Sequence, residues 1–131
     1  MSTDLTMLAL SCLLCMILPY AYVVPLLLSP GGMNWGFGNR EKPFDGDAEW
    51  VKRTKRAHAN LVENLVVFAA LVLAAHVSGR ANEWTAIGSQ LFFWGRLGHA
   101  GTYMAGLVPW RTVAFAVAVL GEWLILLQLL G

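Results

Sequence analysis

Residues 53–68 read RTKRAHANLVENLVVF, and this stretch decides the fold. A basic cluster runs straight into an apolar segment that still contains Asn60 and Glu63. At about 100° per residue, the polar residues at positions 53, 56, 60 and 63 fall within about 80° of one another on a helix. The uncharged residues 65–75 that follow place part of this helix inside a membrane, where an ionisable side chain is costly and by default marks a functional site. The stretch therefore predicts a transmembrane helix with one polar stripe.

The composition indicates the class of protein. The chain has 131 residues, of which 57 % are hydrophobic and 13 % are charged. Soluble domains carry about 25 % charged residues, so we expect an all-α integral membrane protein with one domain, residues 1–131. A formal net charge of +1 argues against a nucleic-acid partner. Cys12 and Cys15 lie in an uncharged run without further metal ligands, and we expect two buried small hydrophobic residues rather than a redox or metal site.

Four hydrophobic segments are long enough to cross a hydrocarbon core of about 30 Å. The predicted helices cover about residues 5–28, 48–76, 83–106 and 110–130, and together they predict a four-helix transmembrane bundle. The first segment has no basic residues before it and no clear cleavage site after it, so we expect it to stay in the membrane. Pro19 and Pro25 predict that this helix kinks or ends early. Residues 29–47 are predicted to form a loop on the membrane surface.

Basic residues are concentrated on one side of the predicted bundle. The first loop, the foot of the second helix and the last turn contain Arg40, Lys42, Lys52, Arg53, Lys55, Arg56 and Arg111. The other side has only Arg80. Because cytoplasmic loops carry an excess of Lys and Arg, we expect the basic side to face the cytoplasm and both termini to face away from it.

A second polar stripe lies on the third predicted helix. Arg96, His99 and Tyr103 fall within about 60° of one another on it. The fourth helix begins at the same membrane depth, so three helices are expected to line one polar cavity that opens to the cytoplasm. The candidate residues are Arg53, Arg56, Asn60, Glu63, Arg96, His99, Tyr103, Arg111 and Thr112. In the alternative interpretation, the basic residues snorkel to the membrane surface and Glu63 forms a structural ion pair with Arg96.

The residue types in this cavity favour an anionic ligand. Several arginines suit carboxylates through bidentate hydrogen bonds. Glu63 suits an ammonium group and Asn60 suits an amide. A small zwitterion with two carboxylates and one amine fits these groups, and the surrounding lipid would admit an apolar co-substrate.

Three motifs carry a family resemblance. They are Arg56-Ala-His-Ala-Asn60-Leu-Val-Glu63, Gly95-Arg96-Leu-Gly-His99-Ala-Gly-Thr-Tyr103 and Pro109-Trp-Arg111-Thr112. In this order they resemble the MAPEG family, the membrane-associated proteins in eicosanoid and glutathione metabolism, and most of all its small bacterial members. The resemblance implies a homotrimer of four-helix subunits in a bacterial inner membrane. It also implies that glutathione, as co-substrate, binds between neighbouring subunits near the cytoplasmic side.

The resemblance also implies roles for single residues. Arg56, Asn60 and Glu63 would hold the peptide part of glutathione, and His99 and Tyr103 would line the same site. Arg111 would stabilise the thiolate, with Thr112 beside it. The chain departs from the pattern at Ala59, where some prostaglandin-forming members have arginine, and in its first helix, which lacks a basic residue at the cytoplasmic end. Glu122 matches no family role, and we expect it to pair with Arg96 of its own or a neighbouring subunit.

The resulting hypothesis is a glutathione-dependent membrane transferase or peroxidase that acts on apolar electrophiles or lipid hydroperoxides. The alternative is a non-catalytic membrane trimer that binds a small anion or a lipid, or that scaffolds other membrane proteins. A transporter is less favoured, because the sequence shows no paired discontinuous helices of the kind that inverted-repeat carriers use.

Overall fold

All the regular secondary structure of the chain is helical. The computed structural model describes residues 1–131 and contains five helices. Their bounds are α1 Thr3–Leu28, α2 Gly32–Phe37, α3 Glu49–Val77, α4 Glu83–Ala105 and α5 Val108–Leu130. Three helices, α1, α3 and α5, are long and apolar enough to cross a membrane. The chain is therefore an integral membrane protein. Helix α4 also has 23 residues but is more polar, since it contains Arg96 and His99.

Two expectations about the first third of the chain are corrected. Pro19 and Pro25 do not end α1 early, because the helix continues to Leu28. A kink at either proline stays a prediction. The predicted surface loop contains the short helix α2, which packs against α1. The indole N–H of Trp35, in α2, donates to the carbonyl oxygen of Lys42 in the following loop at 2.6 Å. The loop is then fixed to α3 by an ion pair between Lys55 and Asp47.

The long helices are arranged as a rhombus in cross-section. Helices α3 and α4 contact each other, and each contacts both α1 and α5, whereas α1 and α5 do not meet. The apolar centre lies on the α3–α4 diagonal, where the rings of Phe68 and Phe92 stack with their centroids 3.9 Å apart. The side of the rhombus between α3 and α5 has fewer contacts and leaves room for a groove.

A polar cluster joins the helices at the end of the molecule where α1 begins and where α3 turns into α4. The sequence did not predict this cluster. Asp4 is buried, and its Oδ2 accepts a hydrogen bond of 2.7 Å from the Thr85 hydroxyl. The His76 Nε2 lies 3.6 Å from the same oxygen. These contacts join α1, α3 and α4, and they satisfy a carboxylate that would be costly to bury alone.

Glycines allow the backbones of α4 and α5 to lie in direct contact. A Cβ atom added to Gly88 would lie 2.6 Å from the Gly121 carbonyl oxygen, and one added to Gly95 would lie 2.7 Å from the Ala118 nitrogen. Small residues of this kind allow membrane helices to approach closely, so that packing and weak polar contacts hold them together. The close approach fixes the position of the start of α5 relative to the end of α4.

Gly88→Ala is expected to lower the free energy of unfolding by about 1–3 kcal/mol, because the added methyl group forces the two backbones apart. Gly101→Ala is the matched control on the same helix, since no atom lies within 4 Å of a Cβ there. It should leave stability unchanged or slightly raised. Denaturation of the purified protein in detergent, followed by circular dichroism, measures both. Equal losses in the two variants would contradict this account of the α4–α5 contact.

Candidate functional site

An open pocket of about 240 Å³ lies where α3, α4 and the first turns of α5 meet. It is lined by Asn60, His99, Tyr103, Arg111, Thr112 and Phe115. Five of these six residues were candidates from the sequence. The sixth, Phe115, was missed, although its positions four residues after Arg111 and three after Thr112 place it on the same face of α5.

The sharp turn between α4 and α5 positions the two walls of the pocket. Helix α4 ends at Ala105 and is capped by Gly106, whose φ of 77° lies in the left-handed region that glycine adopts without strain. The Arg53 Nε donates to the carbonyl oxygen of Met104 at 3.1 Å. This contact satisfies one of the carbonyl groups that a helix end leaves free. Arg53 therefore supports the end of α4 and does not line the pocket.

The Arg111 guanidinium is held against an aromatic ring. Its Cζ lies 4.4 Å from the centroid of the Tyr103 ring, within the range of a cation–π contact. No carboxylate of the subunit forms an ion pair with it. The Tyr103 ring in turn meets the His99 ring edge to face at 5.4 Å. The pocket thus presents one positioned positive charge without a counter-charge.

Arg96 lies at the floor of the site. It is only 1 % exposed, and its Nη2 donates to the Asn60 Oδ1 at 2.8 Å. Its Nε and Nη1 have no partner in the subunit, and neither does the buried Nδ1 of His99. Arg96 lies below the lining of the pocket and orients the amide that faces it.

The expected ion pairs of Arg96 are absent. Glu63 is exposed on the outer side of α3, and no ion pair within the subunit involves Glu63, Arg96 or Glu122. The Glu122 Oε1 is buried without a hydrogen-bond partner. The alternative interpretation, in which Glu63 forms a structural ion pair with Arg96, is therefore wrong within the subunit. Glu122 does not pair with Arg96 of its own subunit either, and its pairing with Arg96 of a neighbouring subunit stays a prediction. Within the subunit Asn60 takes the place of a carboxylate, since its amide oxygen lies within reach of the guanidinium.

The polar stripe of α3 divides between two sides of the helix. Arg53 and Asn60 lie on the edge that contacts α4. Arg56 and Glu63 are exposed on the outer edge and make no side-chain hydrogen bond within the subunit. The residues of the stripe therefore do not all belong to one pocket, because α4 covers only one edge of the stripe.

Another expectation concerns the cysteines, and it is wrong. Cys12 is exposed and Cys15 is half-buried. In a membrane protein, lipid covers the outside of the bundle, so an apolar run does not predict which side chains face inward.

Comparison with known proteins gives one finding for the whole chain. The sequence profile of the MAPEG family matches residues 5–131. Comparison with curated proteins and with solved structures gives no match.

Proposed function

This chain belongs to the MAPEG family, and from that membership and the geometry of the pocket we propose that it is a glutathione-dependent membrane enzyme. The family supports a membrane protein of glutathione or eicosanoid metabolism. The proposed reaction is the transfer of glutathione to an apolar electrophile, or the reduction of a lipid hydroperoxide by glutathione. The proposed site is the pocket between α3, α4 and α5.

The observation that carries the proposal is the uncompensated charge of Arg111 in an open pocket. A free thiol has a pKa of about 8.5, and a guanidinium beside a helix N-terminus lowers that value. Lowering the pKa of a bound thiol by two units requires about 2.7 kcal/mol of preference for the thiolate. Arg111 stands in the first turn of α5, so a thiol bound beside it would lie close both to the guanidinium and to the N-terminus of the helix. Its contact with the Tyr103 ring keeps the guanidinium in place without neutralising it.

The remaining lining residues suit the rest of glutathione. The Asn60 amide and the Thr112 hydroxyl offer hydrogen bonds to a peptide, and Arg96 holds the Asn60 amide in one orientation. Phe115 offers an apolar wall for the second substrate. In the transferase reaction, the glutathione thiolate forms a bond to carbon while the leaving group departs with its electron pair. An apolar electrophile reaches such a site from the lipid.

We also propose that the site is completed by a second subunit of a homotrimer in which all four long helices cross the membrane. The pocket is open, while Arg56 and Glu63 stand exposed on another side of α3. Charged side chains are costly in lipid unless they are paired or face a polar cavity. A neighbouring copy that supplies these two residues to the pocket would bind the glutathione backbone and its amine, and would remove both charges from lipid.

The proposed orientation has the pocket on the cytoplasmic side and both termini on the opposite side. The hydrogen bond from Arg53 to Met104 brings the basic foot of α3 and the α4–α5 turn to the same end of the molecule. Positive residues favour the cytoplasmic side, where glutathione is abundant in cells that make it. For a bacterial protein, the membrane is then the inner one.

Arg111→Ala is expected to lower kcat with chlorodinitrobenzene by about 100-fold when the assay pH lies below the pKa of the bound thiol, because the thiolate fraction then changes by the full two pKa units. Glutathione binding should weaken much less, since the carboxylates and the amine keep their partners. Thr112→Ala is the matched control and should reduce kcat by less than about tenfold, because water can replace a hydroxyl. Steady-state kinetics and calorimetric titration give the two quantities. Unchanged turnover in Arg111→Ala would favour the non-catalytic alternative, in which the pocket binds an anion without chemistry.

The orientation predicts which single cysteines react on intact cells. In a Cys12→Ser, Cys15→Ser background, Ala81→Cys lies between α3 and α4 on the proposed outer side and should react with a membrane-impermeant maleimide. Glu41→Cys, in the loop before α3, should react only after the cells are opened. Ala81 and Glu41 are both exposed in the native protein, so the two positions differ in their access to the maleimide only through the side of the membrane on which they lie. The reverse pattern would place the pocket outside the cytoplasm.

A further inference from the structure

A cysteine, a histidine and a tyrosine meet between α1 and α3, away from the glutathione pocket. Cys15 and Tyr22 lie seven residues apart on α1, so two helical turns bring them to the same face. His58 of α3 reaches between them. Its Nε2 lies 3.6 Å from the Cys15 Sγ, and its Nδ1 lies 3.0 Å from the Tyr22 hydroxyl oxygen. Both ring nitrogens are thereby engaged.

The order of these groups is that of an activated nucleophile. When the His58 Nδ1–H donates to the Tyr22 oxygen, the lone pair of Nε2 faces the Cys15 thiol and can accept its proton. The imidazolium formed in this way keeps its hydrogen bond to the tyrosine oxygen. A nucleophile within reach of a base, with the base oriented by a third group, is the arrangement that raises the reactivity of side chains in enzymes. If the contacts of His58 with Cys15 and Tyr22 were purely structural, they would not raise the reactivity of the Cys15 thiol.

The Cys15 thiol lies in a part of the helix that is reached mainly by reactants dissolved in the membrane. Cys15 lies within α1, which has no charged residue after Asp4 and is one of the helices apolar enough to span a membrane. It is half-buried, and one helical turn away Cys12 is exposed on the outside of the bundle. An apolar molecule dissolved among the lipid chains therefore reaches this part of the helix.

We propose that Cys15 is a reactive thiol that forms covalent adducts with apolar α,β-unsaturated carbonyl compounds in the membrane. In this addition, the sulfur forms a bond to the β carbon while the carbon–carbon π bond shifts its electrons toward the carbonyl oxygen. The thiol proton moves to the His58 Nε2 and is then returned to the α carbon. All atoms of both reactants are retained, and no oxidant or second thiol is required. The adduct forms without glutathione, so its formation is independent of the function proposed for the pocket.

Cys12 is the internal control for this proposal. It lies on the same helix, three residues away, with greater exposure and with no hydrogen-bond partner for its sulfur. The purified protein in lipid nanodiscs is incubated with trans-2-nonenal in the absence of glutathione. The adducts are fixed by borohydride reduction and quantified at each cysteine by peptide mass spectrometry. Without assistance, the more exposed Cys12 should react faster. With His58 acting as base, Cys15 should react at least about tenfold faster than Cys12.

Two variants separate chemical assistance from simple access. His58→Gln should bring the rate at Cys15 down to that at Cys12 or below it, while the rate at Cys12 stays unchanged. Tyr22→Phe removes only the hydroxyl that orients the imidazole, and it should lower the rate at Cys15 several-fold. If His58→Gln does not fold, Tyr22→Phe decides the question alone. A rate at Cys15 no greater than that at Cys12 in the native protein would overturn the proposal, and so would an unchanged rate at Cys15 in Tyr22→Phe.

Discussion

A guanidinium held inside a bundle of apolar helices is the constraint on which the polar half of this structure depends. Arg96 is almost fully buried, and in its own subunit it has one hydrogen bond, to the side-chain oxygen of Asn60. Such a charge cannot be left in contact with lipid. Around it the chain places the amide of Asn60, the ring of Phe115 at 5.8 Å and the polar pocket above them. Two guanidinium nitrogens of Arg96 and one carboxylate oxygen of Glu122 have no hydrogen-bond partner within the subunit.

The spacing of polar residues predicted five of the six residues that line the pocket. Asn60, His99, Tyr103, Arg111 and Thr112 meet there because helical periodicity fixes which residues share a face. Periodicity does not tell where one face stops. The stripe of α3 is about 80° wide, and the position of α4 decides that Asn60 points into the subunit while Glu63 points out. That boundary depends on tertiary packing, which the sequence of one helix does not contain.

The other differences between prediction and structure have the same origin. An apolar run predicts a membrane span but gives no inner and outer side, because lipid satisfies apolar residues as well as a protein core does. The hydrophobic pattern therefore did not predict the contact between Cys15 and His58. The Asp4–Thr85 contact was missed because it joins residues 81 positions apart. The close approach of α4 and α5 depends on glycines whose importance appears only when the opposing backbone is in place.

The central claim is that the glutathione site is shared between subunits, with the pocket from one copy and Arg56 and Glu63 from the next. Co-expression of Glu63→Leu and Arg111→Ala subunits under different affinity tags tests it most directly, given that each variant is inactive alone. In a mixed trimer, one of the three interfaces carries both intact residues, so doubly tagged protein should recover about one third of the native turnover. Doubly tagged trimers with no recovered turnover would contradict the claim and would place the whole site within a single subunit.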